Sequence, residues 1–219
     1  MSTQPIDYLA PDVPASLPWT ASRLVRATNE TLKGYGMLVH DYENHPIEIV
    51  RWPKPEGRPI DADTGDQAGT KKGIFECWRE GDYFYGRNNA VGGHYLLGWA
   101  TNPGEARKET IHETPADRIL LWHANYHPDG GQLFFPIDGS PFVTPLALPG
   151  DDVTPDKFVT FYFDGTAGLY IHPGIWHEGI FPLVPRARFY DAQGSVHARV
   201  SVNFPQEFNV FLDVPLKGI

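Results

Sequence analysis

The sequence predicts an all-β protein with little helix, and two observations carry that expectation. Apolar and aromatic runs of strand length recur through the chain, each bounded by Gly, Pro, Asp or Asn. The chain also holds 22 Gly and 21 Pro, so often placed that long helices have little room. Taken together they point to short antiparallel strands joined by turns, arranged as a sandwich or barrel with a cavity at its mouth.

Residues 1–20 are rich in Pro and Ser with little periodicity and read as an extended N-terminal arm. Residues 21–219 read as one barrel domain, a size that all-β folds often reach undivided. From Ala21 to Leu32 the spacing of Leu24, Val25, Thr28 and Leu32 predicts a short amphipathic helix ending before Gly34. Gly34–Val39 is then the first strand. The stretch from Arg51 to Lys72 reads as a long surface loop, since Pro, Gly and Asp follow one another closely. Strands follow at Phe75–Trp78, Tyr83–Tyr85, Tyr95–Trp99, Ile119–Trp122, Leu133–Pro136, Phe142–Leu148, Phe158–Phe163 and Gly168–Ile171. Ala198–Phe211 alternates Val200, Val202 and Phe204 with polar residues and predicts a strand pair broken at Pro205.

With 41% hydrophobic residues, including 13 Phe, 10 Tyr and 6 Trp, the chain has ample apolar surface to bury. A formal net charge of −9 opposes long-range attraction to nucleic acid or anionic membranes. Cys77 is the only cysteine, which rules out an intrachain disulfide and a thiolate cluster and suits a reducing compartment. The N-terminal residues show neither a basic leader nor an apolar core, and no run of eighteen apolar residues occurs. A soluble, cytoplasmic protein is expected.

The chemistry concentrates in two histidine clusters, His123-Ala-Asn-Tyr-His127-Pro-Asp-Gly-Gly-Gln132 and His172-Pro-Gly-Ile-Trp-His177. As spacing, the first is Asn125-x-His127-x4-Gln132-x6-Gly139, which resembles the first cupin motif, His-x-His-x4-Glu-x6-Gly. Gly174-x-x-His177 resembles the end of the second cupin motif. In a strand, residues two apart face one side, so Asn125 and His127 can enter one cavity. The resemblance implies a cupin-like double-stranded β-barrel. A cupin metal site uses three histidines and a glutamate, whereas the corresponding residues here are Asn125, His127, Gln132 and His177. His127, Gln132 and His177 could hold a divalent ion, but without a carboxylate the set is weak for a transition metal. No obligatory cofactor is expected.

His127-Pro-Asp-Gly-Gly-Gln-Leu-Phe-Phe-Pro, followed by the strand from Val143 and by Asp151-Asp152, resembles the ureidoglycolate lyase family more closely, as does Gly168-Leu-Tyr-Ile-His-Pro-Gly-Ile-Trp-His-Glu-Gly-Ile-Phe-Pro. Gly34-Tyr-Gly-Met-Leu-Val is similar to a Tyr-Gly strand near that family's start. Phe75–His112 has no counterpart in the resemblance. The family implies a cupin-like barrel, often a homodimer, that splits ureidoglycolate into glyoxylate and urea in allantoin breakdown, a step of purine catabolism.

If activity follows the resemblance, one group accepts a hydroxyl proton while another donates to the leaving nitrogen, and imidazole does either near neutral pH. His127 and His177 form the leading pair, His172 stands in reserve, and Gln132 hydrogen-bonds the substrate. Asn125 lines the same cavity. The substrate carboxylate needs a guanidinium, for which Arg87 and Arg118 are the candidates. A metal-dependent cupin oxygenase or isomerase and a noncatalytic small-ligand barrel remain as alternatives. His40, His45 and His197 read as structural or surface residues, and His112 and His123 fall between the two readings. Asp151-Asp152 reads as an exposed turn, Cys77 as core, and Glu178 as pointing away from His177.

Overall fold

The structure is a computed structural model that describes residues 6–50, 57–62, 64, 69–111, 115–194 and 198–218. The chain forms β1 (Trp19–Ala21), β2 (Arg23–Arg26), β3 (Gly36–Val39), β4 (Thr70–Glu80), β5 (Tyr83–Asn88), β6 (Gly93–Trp99), β7 (Arg118–Leu121) and β8 (His123–Tyr126). There follow β9 (Gln132–Pro136), β10 (Phe142–Ala147), β11 (Val159–Phe163), β12 (Gly168–Ile171), β13 (Trp176–His177), β14 (Phe181–Pro182), β15 (Arg186–Gly194), β16 (Val200–Asn203), α1 (Phe204–Phe208) and β17 (Phe211–Pro215). The expectation of an all-β chain holds, and each run named between Phe75 and Ile171 contains a strand.

Ten strands form one sheet in the order β1-β17-β7-β6-β5-β4-β15-β9-β12-β3. The second runs β16-β8-β13-β10-β11-β2, with β14 also paired to β10. Among the described residues the pairing closes neither sheet into a barrel, so the expected closed barrel is replaced by two open sheets sharing a core. That core joins Phe134 and Phe189 of the first sheet to Phe142 and Phe161 of the second. The Phe142 and Phe189 rings meet edge to face at 5.2 Å.

The chain changes sheet at single residues. Trp122, between β7 and β8, is fully buried and donates its indole N–H to Leu96 O at 2.9 Å. Ser22, between β1 and β2, donates its hydroxyl to Asp213 O at 3.0 Å and accepts from Thr160 Oγ1 at 2.6 Å. One small hydroxyl thus ties β17 of one sheet to β11 of the other.

Two local expectations are corrected. The predicted helix over Ala21–Leu32 is absent: β1 and β2 occupy its first half, and a turn stabilised by Leu32 N–H to Thr28 O fills the rest. Leu24 and Val25 pack as strand residues because β2 pairs in parallel with β11, and this tertiary pairing outweighs a weak helical pattern. In the C-terminal stretch the strand pair is interrupted at Pro205 as expected, but by the short helix α1, with Pro205 in its first turn. Asn203 caps it by accepting from Gln206 N–H, and Pro at the first turn loses no helical donor. Half of the loop expected over Arg51–Lys72 lies outside the described residues, and β4 already begins at Thr70.

Ser22→Ala removes both hydroxyl bonds and leaves the buried Thr160 hydroxyl without this partner, while the Asp213 carbonyl keeps the backbone N–H of residue 22 at 2.9 Å. We expect a loss of about 1–3 kcal/mol in urea unfolding, and an unchanged midpoint would show that the bridge contributes nothing.

Candidate functional site

Strand β8 supplies the alternation that the spacing predicted: His123 and Asn125 lie two apart, and His127 follows just past its end. His177 of β13 is the direct cross-strand partner of Asn125, so the two histidine clusters meet on one sheet. The His127 and His177 rings stand 5.2 Å apart, both nearly buried. Gly174, at φ +80, makes the turn before β13, and its N–H donates to the His127 carbonyl at 3.0 Å. That bond fixes the loop carrying the second cluster against the first.

Gln132 opens β9 and joins this group, with its Oε1 3.1 Å from His177 Nε2. Its amide nitrogen donates to Asp191 Oδ1 at 2.7 Å, and Asn88 and Gln193 donate to Asp191 Oδ2 at 3.1 Å. Asp191 has no exposed surface. Burial raises its carboxyl to about 7, against the pull of the three amides. His177 is driven the other way, to about 3, by burial first and the neighbouring His127 second. Its Nδ1–H donates to Ile175 O at 2.7 Å, and His127 Nδ1–H donates to Ala198 O at 3.0 Å.

His127, His177 and Gln132 line a small cavity of about 50 Å³ together with Asn125, Asn88, Tyr8, Tyr95, Glu178 and Arg199, and Asp191 lies behind Gln132. Asn125 Oδ1 is buried in it with no hydrogen-bond partner among the described residues. On the other flank His123 Nδ1 lies 2.7 Å from Glu178 Oε2, and its Nε2 lies 2.9 Å from Ser201 Oγ. Ser201 donates to Asp61, which also accepts from Arg199 Nε at 2.8 Å. Arg199 Nη2 donates to Tyr8 OH at 2.6 Å, and its guanidinium lies over the Tyr8 ring at 4.4 Å. Burial lifts Tyr8 to about 12, so it remains a neutral phenol.

The structure therefore brings together His127, His177, Gln132 and Asn125. It does not bring His172, Arg87 or Arg118 to them. His172 packs its ring edge-on to Tyr170 at 5.6 Å, while Arg87 pairs with Glu76 at 2.5 Å and Arg118 with Asp213 at 3.0 Å. Glu178, expected to face away, lines the cavity, because β13 ends at His177 and strand alternation does not extend to the next residue. Asp191, Arg199 and Tyr8 were not singled out by the sequence. Asp191 did carry a signal, an acid inside the apolar run Phe189–Ala192. His112 and His197 lie outside the described residues.

As a metal centre the arrangement fits poorly. Its donors are two imidazoles and an amide already at hydrogen-bonding distance from one of them, and among the described residues no three His, Cys, Asp or Glu side chains gather around one point.

Comparison with known proteins agrees with the motifs. Residues 114–210 match the ureidoglycolate lyase family. The ureidoglycolate lyase of Azotobacter vinelandii is 35% identical over 63 residues, covering 29% of this chain and 38% of that protein. Those of Stutzerimonas stutzeri and Pseudomonas aeruginosa PAO1 are each 32% identical over 89 residues, 40% of this chain and 52% and 53% of theirs. The chain thus spans about half or less of the curated relatives it matches. The segment matching the ureidoglycolate lyase family holds both histidine clusters, Gln132, Asp191 and Arg199, whereas Tyr8, Asn88, Tyr95 and the Gly34 strand fall outside it.

The two shifted groups give stability opposite pH dependences. The Asp191 contribution, with a folded value near 7 above the usual 3.8, is fully present below about pH 3.8 and lost as pH rises through 7. That of His177 is present above about 6.5 and lost as pH falls toward 3. Relative to Asp191→Asn, the wild-type protein should therefore lose stability between about pH 4 and pH 8. The loss is at most a few kcal/mol, since each tenfold change in proton affinity is worth about 1.4 kcal/mol. Unfolding at several pH values checks this; a constant difference would remove the raised carboxyl.

Proposed function

We propose that the chain is a carbon–nitrogen lyase that releases urea and glyoxylate from ureidoglycolate, and that the cavity between β8, β9 and β13 is its active site. The observation that carries this reading is the meeting of His127, His177, Gln132 and Asn125, inside the family-matched segment, with the guanidinium of Arg199 on the same cavity wall. Each part of the substrate then has a partner of the right chemistry.

The carboxylate pairs with Arg199, in place of Arg87 or Arg118. Although Asp61 and Tyr8 engage two of its nitrogens, five donors in a planar fork leave capacity for a further acceptor. A ureido N–H donates to Asn125 Oδ1, the buried acceptor that otherwise lacks a partner among the described residues. His127 acts as the base: because its Nδ1–H is given to Ala198 O, its lone pair sits on Nε2. It removes the hydroxyl proton as the carbonyl of glyoxylate forms, the C–N bond breaks, and its electrons pass to the nitrogen. The same imidazole returns the proton to that nitrogen, giving urea.

His177 remains neutral and does not compete for this proton. Since its Nδ1 donates to Ile175 O, its Nε2 is an acceptor, and the Gln132 amide satisfies it by turning its N–H toward the ring. The amide oxygen then faces Asp191, which as a protonated acid donates to it. One proton on Asp191 thus closes the chain from Asp191 through Gln132 to His177. Proton transfer by imidazole needs no ion, so the reaction is expected to survive chelation. On the same reading the protein is a cytoplasmic homodimer acting in allantoin breakdown. Its sheets follow a cupin-like plan in one domain over residues 21–219, and the N-terminal arm reaches the site through Tyr8.

Urea and glyoxylate release tests the proposal directly. His127→Ala should lower kcat by at least about 100-fold. Arg199→Met should act mainly on KM, raising it about ten- to a hundredfold, the worth of a charge-assisted bond. Unchanged turnover in His127→Ala, or a protein that never releases urea, would overturn the assignment.

A further inference from the structure

A second, larger cavity of about 390 Å³ lies apart from the histidines. Its walls are apolar, built by Trp78, Phe84, Leu97, Phe181 and Val184 among others, and Leu97 also lines the histidine cavity. Its volume falls in the range of small-molecule pockets, which typically combine apolar walls with a few orienting polar groups.

The orienting group here is Arg79. Its Nε donates to Gly81 O at 2.6 Å and its guanidinium lies over the Phe84 ring at 5.4 Å. Its Nη2 is buried and makes no hydrogen bond to the described residues. Among those residues no ion pair holds this arginine, in contrast to Arg87, Arg118 and Arg188, each of which meets a carboxylate. Burial lowers its pKa, only partly offset by Asp82, whose carboxylate is occupied by Arg107 N–H and the Thr110 hydroxyl. A half-buried cation with no carboxylate at ion-pair distance among the described residues, beside an apolar void, gains from a ligand that supplies an acceptor.

We propose that this cavity binds an apolar monocarboxylate, its carboxylate pairing with Arg79 and its chain or ring filling the space between Phe84, Leu97 and Phe181. A neutral apolar ligand would leave the Arg79 nitrogens as they are. An amine would bring a second positive charge to the guanidinium. A phosphate or dicarboxylate would place charge on the apolar walls. The site is separate from the histidine cavity, with which it shares only the Leu97 side chain, and it does not rest on the reaction proposed there.

The experiment is titration of the intact chain with octanoate, octanol and octylammonium, followed by calorimetry and by methyl NMR of Leu183 and Val184, which line this cavity and not the histidine cavity. Octanoate should bind saturably, about tenfold more tightly than octanol, as a charge-assisted bond predicts. Octylammonium should bind most weakly, and shifts should concentrate at the two cavity methyls. Arg79→Met should reduce octanoate to the affinity of octanol, and Ala116→Phe, which fills the cavity, should abolish both. The comparison of the three ligands on the unaltered protein stands even if a variant fails to fold. Absence of saturable binding, equal affinity for acid and alcohol, or shifts centred elsewhere would overturn the proposal.

Discussion

A fully buried carboxylic acid, Asp191, is the constraint around which the histidine cavity is organised. Placing an ionised carboxylate in a protein interior costs several kcal/mol. The three amides that reach it, from Gln132, Asn88 and Gln193, return about 1.5–3 kcal/mol each if it is charged. The two sums are close, which is the physical reason its acid form persists near neutral pH. Gln132 lies between Asp191 and His177, and on the proposed reading the state of the acid reaches the imidazole through the orientation of this amide. Asp191 needs no contact with a ligand to affect what the cavity presents to one.

The second organising feature is the register between short strands. His177 reaches Asn125 because β13 pairs with β8 over a single residue pair, and Gly174 ties the preceding turn to the His127 carbonyl. Two histidines far apart in sequence are thereby set 5.2 Å apart on a rigid scaffold. The flanks come from elsewhere: Asn88 and Tyr95 from β5 and β6, and Tyr8 from the chain before β1. These lie outside the segment that matches the family, so the family-like floor of the cavity carries walls contributed by the rest of this chain.

Both cavities are marked by polar atoms lacking partners among the described residues, not by their size. Asn125 Oδ1 in one is an acceptor and Arg79 Nη2 in the other a donor. Since buried polar groups are almost always satisfied, these two atoms are what the proposed ligands would complete, an N–H at Asn125 and a carboxylate at Arg79.

The sequence by itself determined the strand-rich class and which side chains meet at the histidine cavity. Period-two alternation and turn residues are local properties, so the strands from Phe75 to Ile171 were legible, as was the shared face of Asn125 and His127. His177 and Gln132 could be placed beside them because motif spacing encodes a recurrent register. Only the tertiary structure decided the rest. The Ala21–Leu32 segment became strand and turn because β11, distant in the chain, offered it a partner, a pairing absent from local propensity. Arg87 and Arg118 were as plausible as Arg199 from composition. The difference is that Glu76 and Asp213 claim the first two on the surface, whereas Arg199 is drawn inward by Asp61 and Tyr8. Which charges neutralise one another, and which are left facing a cavity, depends on distances between residues far apart in the chain. Those distances exist only once the two sheets have packed.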